Sequence, residues 1–210
     1  CRLLKADDYV SGEELAKEIG VSRAAIWKAI KSLEKSGYDI EGVTKCGYKL
    51  RQNNRLVTAE SVKALLENDI EVTHFDTIDS TNTYCKRLLA DGKQGEFLVT
   101  ADKQTAGRGR QGKSFYSPSE TGIYFSLVIR PDTSLQNAVT ATTAASVAVC
   151  KAIEKITDLK PKIKWVNDVY LNGKKVCGIL TEATTDFESG TVDSVIIGIG
   201  INISTTKFPS

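Results

Sequence analysis

Near the start of the chain, apolar positions recur twice at helical spacing, each time between a capping signal and a glycine. Ser11-Gly12-Glu13-Glu14 reads as a capping box, in which Ser11 caps the helix and Glu14 reaches back to the free amide. Leu15 and Ile19 fall one turn apart, and Gly20 ends the helix. Ser22 can cap a second helix, where Ile26, Ile30 and Leu33 make one apolar stripe before Gly37. Two helices joined by the short turn Ile19-Gly20-Val21 form the helix-turn-helix pattern. Two short extended pieces around a polar turn, Tyr38–Glu41 and Gly47–Leu50, follow as a wing.

The patterning then changes. Arg51 to Val57 is polar and without period, a linker, so the domains divide as 1–55 and 56–210. Thr58 caps a short helix running through Leu66. Strand-like runs follow at Phe97–Thr100, Ile123–Ile129, Ile163–Trp165, Val169–Leu171, Val176–Leu180 and Ser194–Ile203, with helix-like runs at Thr81–Leu89 and Ala138–Ile156. Leu171-Asn172-Gly173-Lys174 is a hairpin signal. Strands paired by hairpins predict an α+β domain with a mixed or antiparallel sheet rather than a doubly wound parallel one.

Composition narrows the classes of function. The 210 residues are 41% hydrophobic and 26% charged, without an apolar run of the length a membrane span needs and without a visible secretory leader. Five scattered cysteines without a C-x-x-C pair argue against a disulfide framework and fit a reducing cytoplasm. One histidine, His74, excludes a site needing two imidazoles. The net charge of +2 is unevenly spread, because residues 1–55 hold 11 Lys/Arg against 8 Asp/Glu. The second helix carries Arg23, Lys28, Lys31 and Lys35 against Glu34 alone, whereas the first is acidic. Ser22, Arg23, Lys28 and Lys31 are therefore the candidate DNA contacts, with Arg23 placed for a base edge and the lysines for phosphates. Trp27 is assigned to packing.

Candidate chemistry concentrates in three places. Gly107-Arg108-Gly109-Arg110-Gln111-Gly112 matches G-x-G-x-x-G formally, but Lys113 to Pro118 and then a strand follow where a dinucleotide site needs a helix. It reads instead as a glycine-rich loop with two guanidiniums, suited to a carboxylate or phosphate and mobile when empty. The polar stretch Thr184–Ser189 is a second candidate for such mobility. Lys164-Trp165-Val166-Asn167-Asp168 lies one hairpin before Lys175 and Gly178, so amide, carboxylate and ammonium can converge. Gly198 and Gly200 interrupt an apolar strand, which is unfavourable unless something must lie against its backbone. Asp79-Ser80-Thr81-Asn82 adds hydroxyls and an amide at a helix start.

Taken in order, Ser80-Thr81-Asn82, Gly107-Arg108-Gly109-Arg110, Lys164-Trp165-x-Asn167-Asp168, Lys175-Val176-x-Gly178-Ile179-Leu180 and Gly198-x-Gly200-x-Asn202 resemble the motifs of biotin–protein ligases. With the winged helix in front, the whole chain resembles the bifunctional subgroup, ligase and repressor of biotin operons. The resemblance implies a catalytic domain of class II aminoacyl-tRNA-synthetase-like fold. It implies two steps, in which biotin and ATP with Mg²⁺ give biotinyl-5′-AMP, and a lysine of a carboxylase's biotin carboxyl carrier domain then takes the biotin. It assigns Ser80, Thr81, Asn82, Gln104, Gly107, Arg108, Gly109, Arg110, Lys175 and Gly178 to biotin. Arg108, Arg110, Asn167, Asp168 and Asn202 go to the nucleotide, and Arg110 and Lys175 to catalysis; no resident metal is implied. It further implies operator DNA as partner, the adenylate as corepressor and a homodimer that the adenylate promotes. Val166 stands where the family usually has proline and Lys113 where it often has arginine. The family's small carboxy-terminal β-domain is expected to lie beyond Ser210. Two other readings remain open: a lipoate-type ligase, and a non-catalytic transcription factor that senses a small acid.

Overall fold

The computed structural model describes residues 4, 8–35, 38–51, 57–131, 136–185, 192–206 and 208. The chain divides into two compact units, Cys1–Leu65 and Leu66–Ser210.

In the first unit the capping box forms as the sequence predicts. Ser11 Oγ accepts from the Glu14 amide at 3.0 Å, and Glu14 Oε2 accepts from the Ser11 amide at 3.0 Å. Helix α1 spans Gly12–Ile19 and stops at Gly20, whose φ of 76° is left-handed. Helix α2, Arg23–Lys35, starts where Ser22 Oγ accepts from the Ala25 amide. Leu15, Ile26, Ile30, Tyr38 and Ile40 form the core with Leu4, and Leu33 packs against them. Ile19, expected on the same stripe as Leu15, is 53% exposed; the half-buried Ala16 packs against the core from α1 instead. Gly37, the expected stop of α2, lies outside the described residues.

The wing is strands β1 (Ile40–Val43) and β2 (Gly47–Leu50), antiparallel with Ile40 opposite Leu50. It begins two positions later than the spacing predicts, because Tyr38 is drawn into the core and its hydroxyl meets Thr58 Oγ1 at 2.8 Å. Val10 and Tyr48 exchange two backbone hydrogen bonds of 2.9 Å, which pin the wing to the segment before α1. That pairing leaves no room for a side chain at Gly47, whose Cβ would overlap the Val10 carbonyl. Thr58 caps helix α3, Ala59–Lys63, which ends short of the expected Leu66. Of the expected linker, residues 52–56 lie outside the described residues.

The second unit is a seven-stranded sheet with β3 (Glu71–Phe75), β4 (Phe97–Ala101), β5 (Gly122–Ile129), β9 (Val192–Asn202), β8 (Lys174–Thr185), β7 (Asp168–Leu171) and β6 (Lys162–Lys164) side by side in that order. Only β3 and β4 pair in parallel, across helix α4 (Thr81–Ala90); the other neighbours are antiparallel. The sheet is thus mixed, as the hairpin signals require. At the Asn172-Gly173 turn both residues have positive φ, 49° and 76°, matching the twist of strands β7 and β8. Strand β3 is an addition that the sequence pattern does not announce.

Alternate residues of β9 face opposite layers. Ile196 packs under α4 with Cys85, Phe97, Val99 and Val128. Val195 and Ile197 pack with Val149 of α5 (Gln136–Ile156), together with Val169, Cys177 and Ile179. Each such fully buried aliphatic side chain is worth about 1.5–3 kcal/mol relative to exposure. Burial pushes the Cys85 and Cys177 thiols up to about 12, so both stay neutral and act as core residues. No helix among the described residues is long and apolar enough to cross a membrane.

Candidate active site

The floor of the site is built where α4 begins against the sheet. Ser80 caps α4, so the next residues Thr81 and Asn82 turn inward and are buried. Thr81 donates to Gln104 Oε1 from its amide at 2.9 Å and from its hydroxyl at 3.2 Å. Gln104 Nε2 donates to Ser117 Oγ at 2.9 Å, and the Ser117 hydroxyl donates to the Phe115 carbonyl at 3.1 Å. Beneath them lies Ser126 of β5, with no exposed surface and Oγ 2.7 Å from Thr81 Oγ1 and 2.6 Å from Asn82 Oδ1. Its single proton serves one of the two at a time.

The glycine-rich loop folds back over this floor. The Gly109 amide donates to the Lys113 carbonyl at 2.7 Å and the Phe115 amide to the Gly107 carbonyl at 2.8 Å. Left-handed φ falls on Gln111 (55°) and Gly112 (75°), not on the two earlier glycines. Gly107 is required for closeness instead, since a Cβ there would overlap the Phe115 carbonyl. Arg108 reaches Glu182 of β8 at 3.2 Å, and Arg110 Nη1 donates to Asn167 Oδ1 at 2.8 Å. Asn167 in turn donates to Asp168 Oδ1 at 3.0 Å, and the same carboxylate oxygen holds Lys175 Nζ at 2.7 Å. The expected convergence of amide, carboxylate and ammonium across the β7–β8 hairpin is present.

These groups surround one pocket. Ser80, Thr81, Asn82, Gln104, Arg108, Gly109, Arg110, Asn167, Lys175 and Gly178 line it, together with Phe115, Phe125 and the backbone of β8 and β9. Three of the residues assigned from the sequence do not. Gly107 is at the buried root of the loop, and Asp168 sits behind Lys175. Asn202 is at the end of β9, where its buried Oδ1 has no hydrogen-bond partner among the described residues. The glycines of β9 do accommodate something against the backbone, but it is the protein itself. A Cβ on Gly198 would overlap the Asn82 amide, and one on Gly200 would overlap the Phe115 ring.

Contributors that escape the sequence reading include Phe115, Ser117, Phe125, Ser126 and Glu182. Glu182 Oε2 accepts from Asn82 Nδ2 at 3.0 Å, and Oε1 from Lys86 Nζ at 2.7 Å. Burial alone would push its carboxyl up, but the Lys86 and Asn82 hydrogen bonds and the Lys86 and Arg108 charges outweigh that and hold it below the usual range. Beside the pocket, Asp79 is also held low, chiefly by its two hydrogen bonds from Arg87 at 2.6 and 3.0 Å. His74 lies apart on β3, its Nδ1 2.8 Å from Thr100 Oγ1.

In the first unit a groove runs between α2 and the wing, lined by Arg23, Trp27, Lys31, Lys45 and Tyr48 among others. Arg23 is where the sequence places it, at the amino end of α2. Lys31 is paired with Glu34 at 2.6 Å, and Ser22 and Lys28 are exposed outside the groove. Trp27 is 54% exposed, so it is a surface residue and not part of the core.

Comparison with known proteins agrees with both halves. Residues 2–49 match the model of an HTH domain, and residues 74–202 that of the biotin/lipoate A/B protein ligase family. The chain is similar to the bifunctional ligase/repressor BirA of Bacillus spizizenii, with 40% identity over 94% of this chain and 61% of that protein. Its similarity to BirA of Escherichia coli is 33%, over 96% of this chain and 62% of that protein. The chain thus spans about three-fifths of the length of these relatives. Among solved structures it resembles a biotin protein ligase from Aquifex aeolicus in complex with biotin and ATP, with TM-score 0.55, 32% identity and coverage of 69% of this chain and 56% of that one. The polar floor, the arginine loop over it and the lysine at the hairpin all fall within the matched 74–202 segment, and the chain belongs to the biotin/lipoate A/B protein ligase family.

Proposed function

We propose that this chain forms the DNA-binding and adenylate-forming parts of a bifunctional biotin–protein ligase and repressor. Biotin and MgATP give biotinyl-5′-AMP and pyrophosphate; a lysine of a carboxylase's biotin carboxyl carrier domain then takes the biotin and releases AMP. The observation that carries the reading is the meeting of Arg108, Arg110 and Lys175 at one pocket with an uncharged polar floor. A carboxylate resists attack by an amine, so it is activated as a mixed anhydride with AMP. Negative charge gathers at the α-phosphate as pyrophosphate leaves, and fixed cations in a partly enclosed site stabilise it.

In this reading Ser80, Thr81, Asn82 and Gln104 hold the polar ring end of biotin, and Gly178 lets its chain approach β8. Gly107 and Gly109 shape the loop, and Arg108 and Arg110 cover the carboxylate and phosphate. Lys175, oriented by Asp168, contacts the carboxylate end, while Asn167 and the unpartnered acceptor of Asn202 serve the nucleotide side. Exchange of labelled pyrophosphate into ATP is the test. Exchange that needs biotin supports the reading, exchange with lipoate instead points to a lipoate-type ligase, and none with either leaves a non-catalytic sensor.

The winged unit would bind operator DNA through Arg23 and the groove beside it, with the adenylate as corepressor. One recognition helix gives a small footprint, so two copies on two half-sites fit tight binding better, and an adenylate-favoured homodimer is the arrangement proposed. An operator and a carrier domain as partners would fit a protein of the cytoplasm.

A further inference from the structure

Glu182 is a charged group at the pocket's edge with three partners from two separate parts of the fold. It lies one inward-facing position beyond Leu180 on β8, and its side chain is 17% exposed. Asn82 and Lys86 reach it from α4 and Arg108 from the glycine-rich loop. A carboxylate only accepts hydrogen bonds, so the Asn82 amide must turn its Nδ2 toward Glu182 and its Oδ1 toward Ser126. The second Nδ2 proton goes to the Leu180 carbonyl at 3.3 Å. The direction of a polar group on the pocket floor is therefore set from outside the pocket. The same carboxylate fixes the loop: among the described contacts, the Arg108 guanidinium is tied down by Glu182 alone, while Arg110 is held separately by Asn167.

Resting on the biotin-ligase reading, we propose that Glu182 is a positioning residue for biotin recognition. It presets the Asn82 amide and clamps the Arg108 end of the loop through one shared charge, so that floor and lid are ordered together. Lys86 balances that charge from the opposite side, and the carboxyl remains ionised after Arg108 moves to a ligand. Glu182 itself touches neither biotin nor nucleotide in this role.

The test compares Glu182→Gln and Glu182→Ala with the full-length wild-type protein. Gln keeps an acceptor for Asn82 and loses the charge on Arg108; Ala loses both. Folding is checked by thermal denaturation, loop order by trypsin cleavage after Arg108 and Arg110, and recognition by the biotin dependence of pyrophosphate exchange. The E182Q protein should be cut about tenfold faster and show a biotin KM raised about tenfold with kcat little changed, and E182A should raise KM by about tenfold more. A folded E182A protein with wild-type cleavage and KM, or a fall in kcat with KM unchanged, overturns the proposal. If the wild type shows no biotin-dependent exchange, the functional reading falls. The trypsin rates then still judge the clamp, and unchanged rates overturn it.

Discussion

Arg110 and Asn167, far apart in sequence, meet at 2.8 Å, and this contact joins the glycine-rich loop to the turn that carries Asp168. Because Asp168 also holds Lys175 at 2.7 Å, the two cations nearest the proposed reacting centre share one hydrogen-bonded chain. Arg110→Ala and Lys175→Ala should each slow adenylate formation by about 10²–10³, the range seen when a transition-state donor is removed. Single-turnover rapid quench measures it, and biotin affinity should suffer less for Lys175→Ala. Near wild-type rates in both proteins would remove these residues from the chemistry.

Gly198→Ala tests the closeness of α4 to β9. The added methyl overlaps the Asn82 amide, and neither the strand nor the buried helix start can give way freely. Loss of about 1–3 kcal/mol of stability is expected, with loss of biotin binding beyond that. Urea denaturation and biotin titration by calorimetry read the two effects; a stable protein with normal affinity would show the approach to be dispensable.

Acid should weaken the second unit through Glu182 and Asp79, whose carboxyls are both held low in the folded chain. A depressed folded value contributes stability that is present above the unfolded values of about 4 and is lost as pH falls through the folded ones. Unfolding free energy should therefore be level near neutrality and decline below about pH 4. The decline should be shallower in E182Q, and equal slopes for wild type and variant would contradict the origin assigned here.

Arg23→Ala should separate the two activities. An arginine reading a base edge contributes about 1–3 kcal/mol, so operator affinity should fall by about five- to 150-fold. Biotin-dependent exchange should stay at the wild-type rate. Fluorescence anisotropy with labelled operator decides the first, and any matching loss of exchange would mean that the substitution acts through folding.

Adenylate should promote dimerisation if it binds the dimer-competent form better, with a coupling of about 1–3 kcal/mol. Sedimentation velocity with and without biotin and MgATP is the measurement, run beside an operator titration. An unchanged mass and unchanged DNA affinity would leave the winged helix with another task.

What could be read from the sequence follows the range of the interactions involved. The capping box at Ser11 and Glu14, the left-handed stop at Gly20 and the Asn172-Gly173 hairpin depend on neighbours in the chain, and all are found. Strand β8 was legible only to Leu180, because Thr181 to Thr185 is polar and is held by pairing with Ile197 through Val192 of β9. Glu182 falls in that polar stretch, so neither its strand nor its burial carried a local signal. Ser126 looks like a hydroxyl on a strand, and only the approach of Thr81 and Asn82 gives it a role. Trp27 differs the other way: an apolar residue on an amphipathic helix suggests packing, yet it lies on the surface, 54% exposed.

Strand β9 has a consequence for the order in which the protein is made. It enters the sheet between β5 and β8, with Gly122 opposite Asn202 and Cys177 opposite Ile201, although it follows both of them in the chain. Until Val192–Asn202 emerges, β5 and β8 each present an open edge rich in unpaired amides and carbonyls, the feature most prone to pairing with other chains. The close seat of Asn82 on Gly198 is missing at the same stage, so a nascent chain stopped before β9 holds the cations and floor residues of the pocket without the strand that Asn82 packs against. A shortened product ending before β9 should therefore leave two strand edges unpaired and be prone to aggregation.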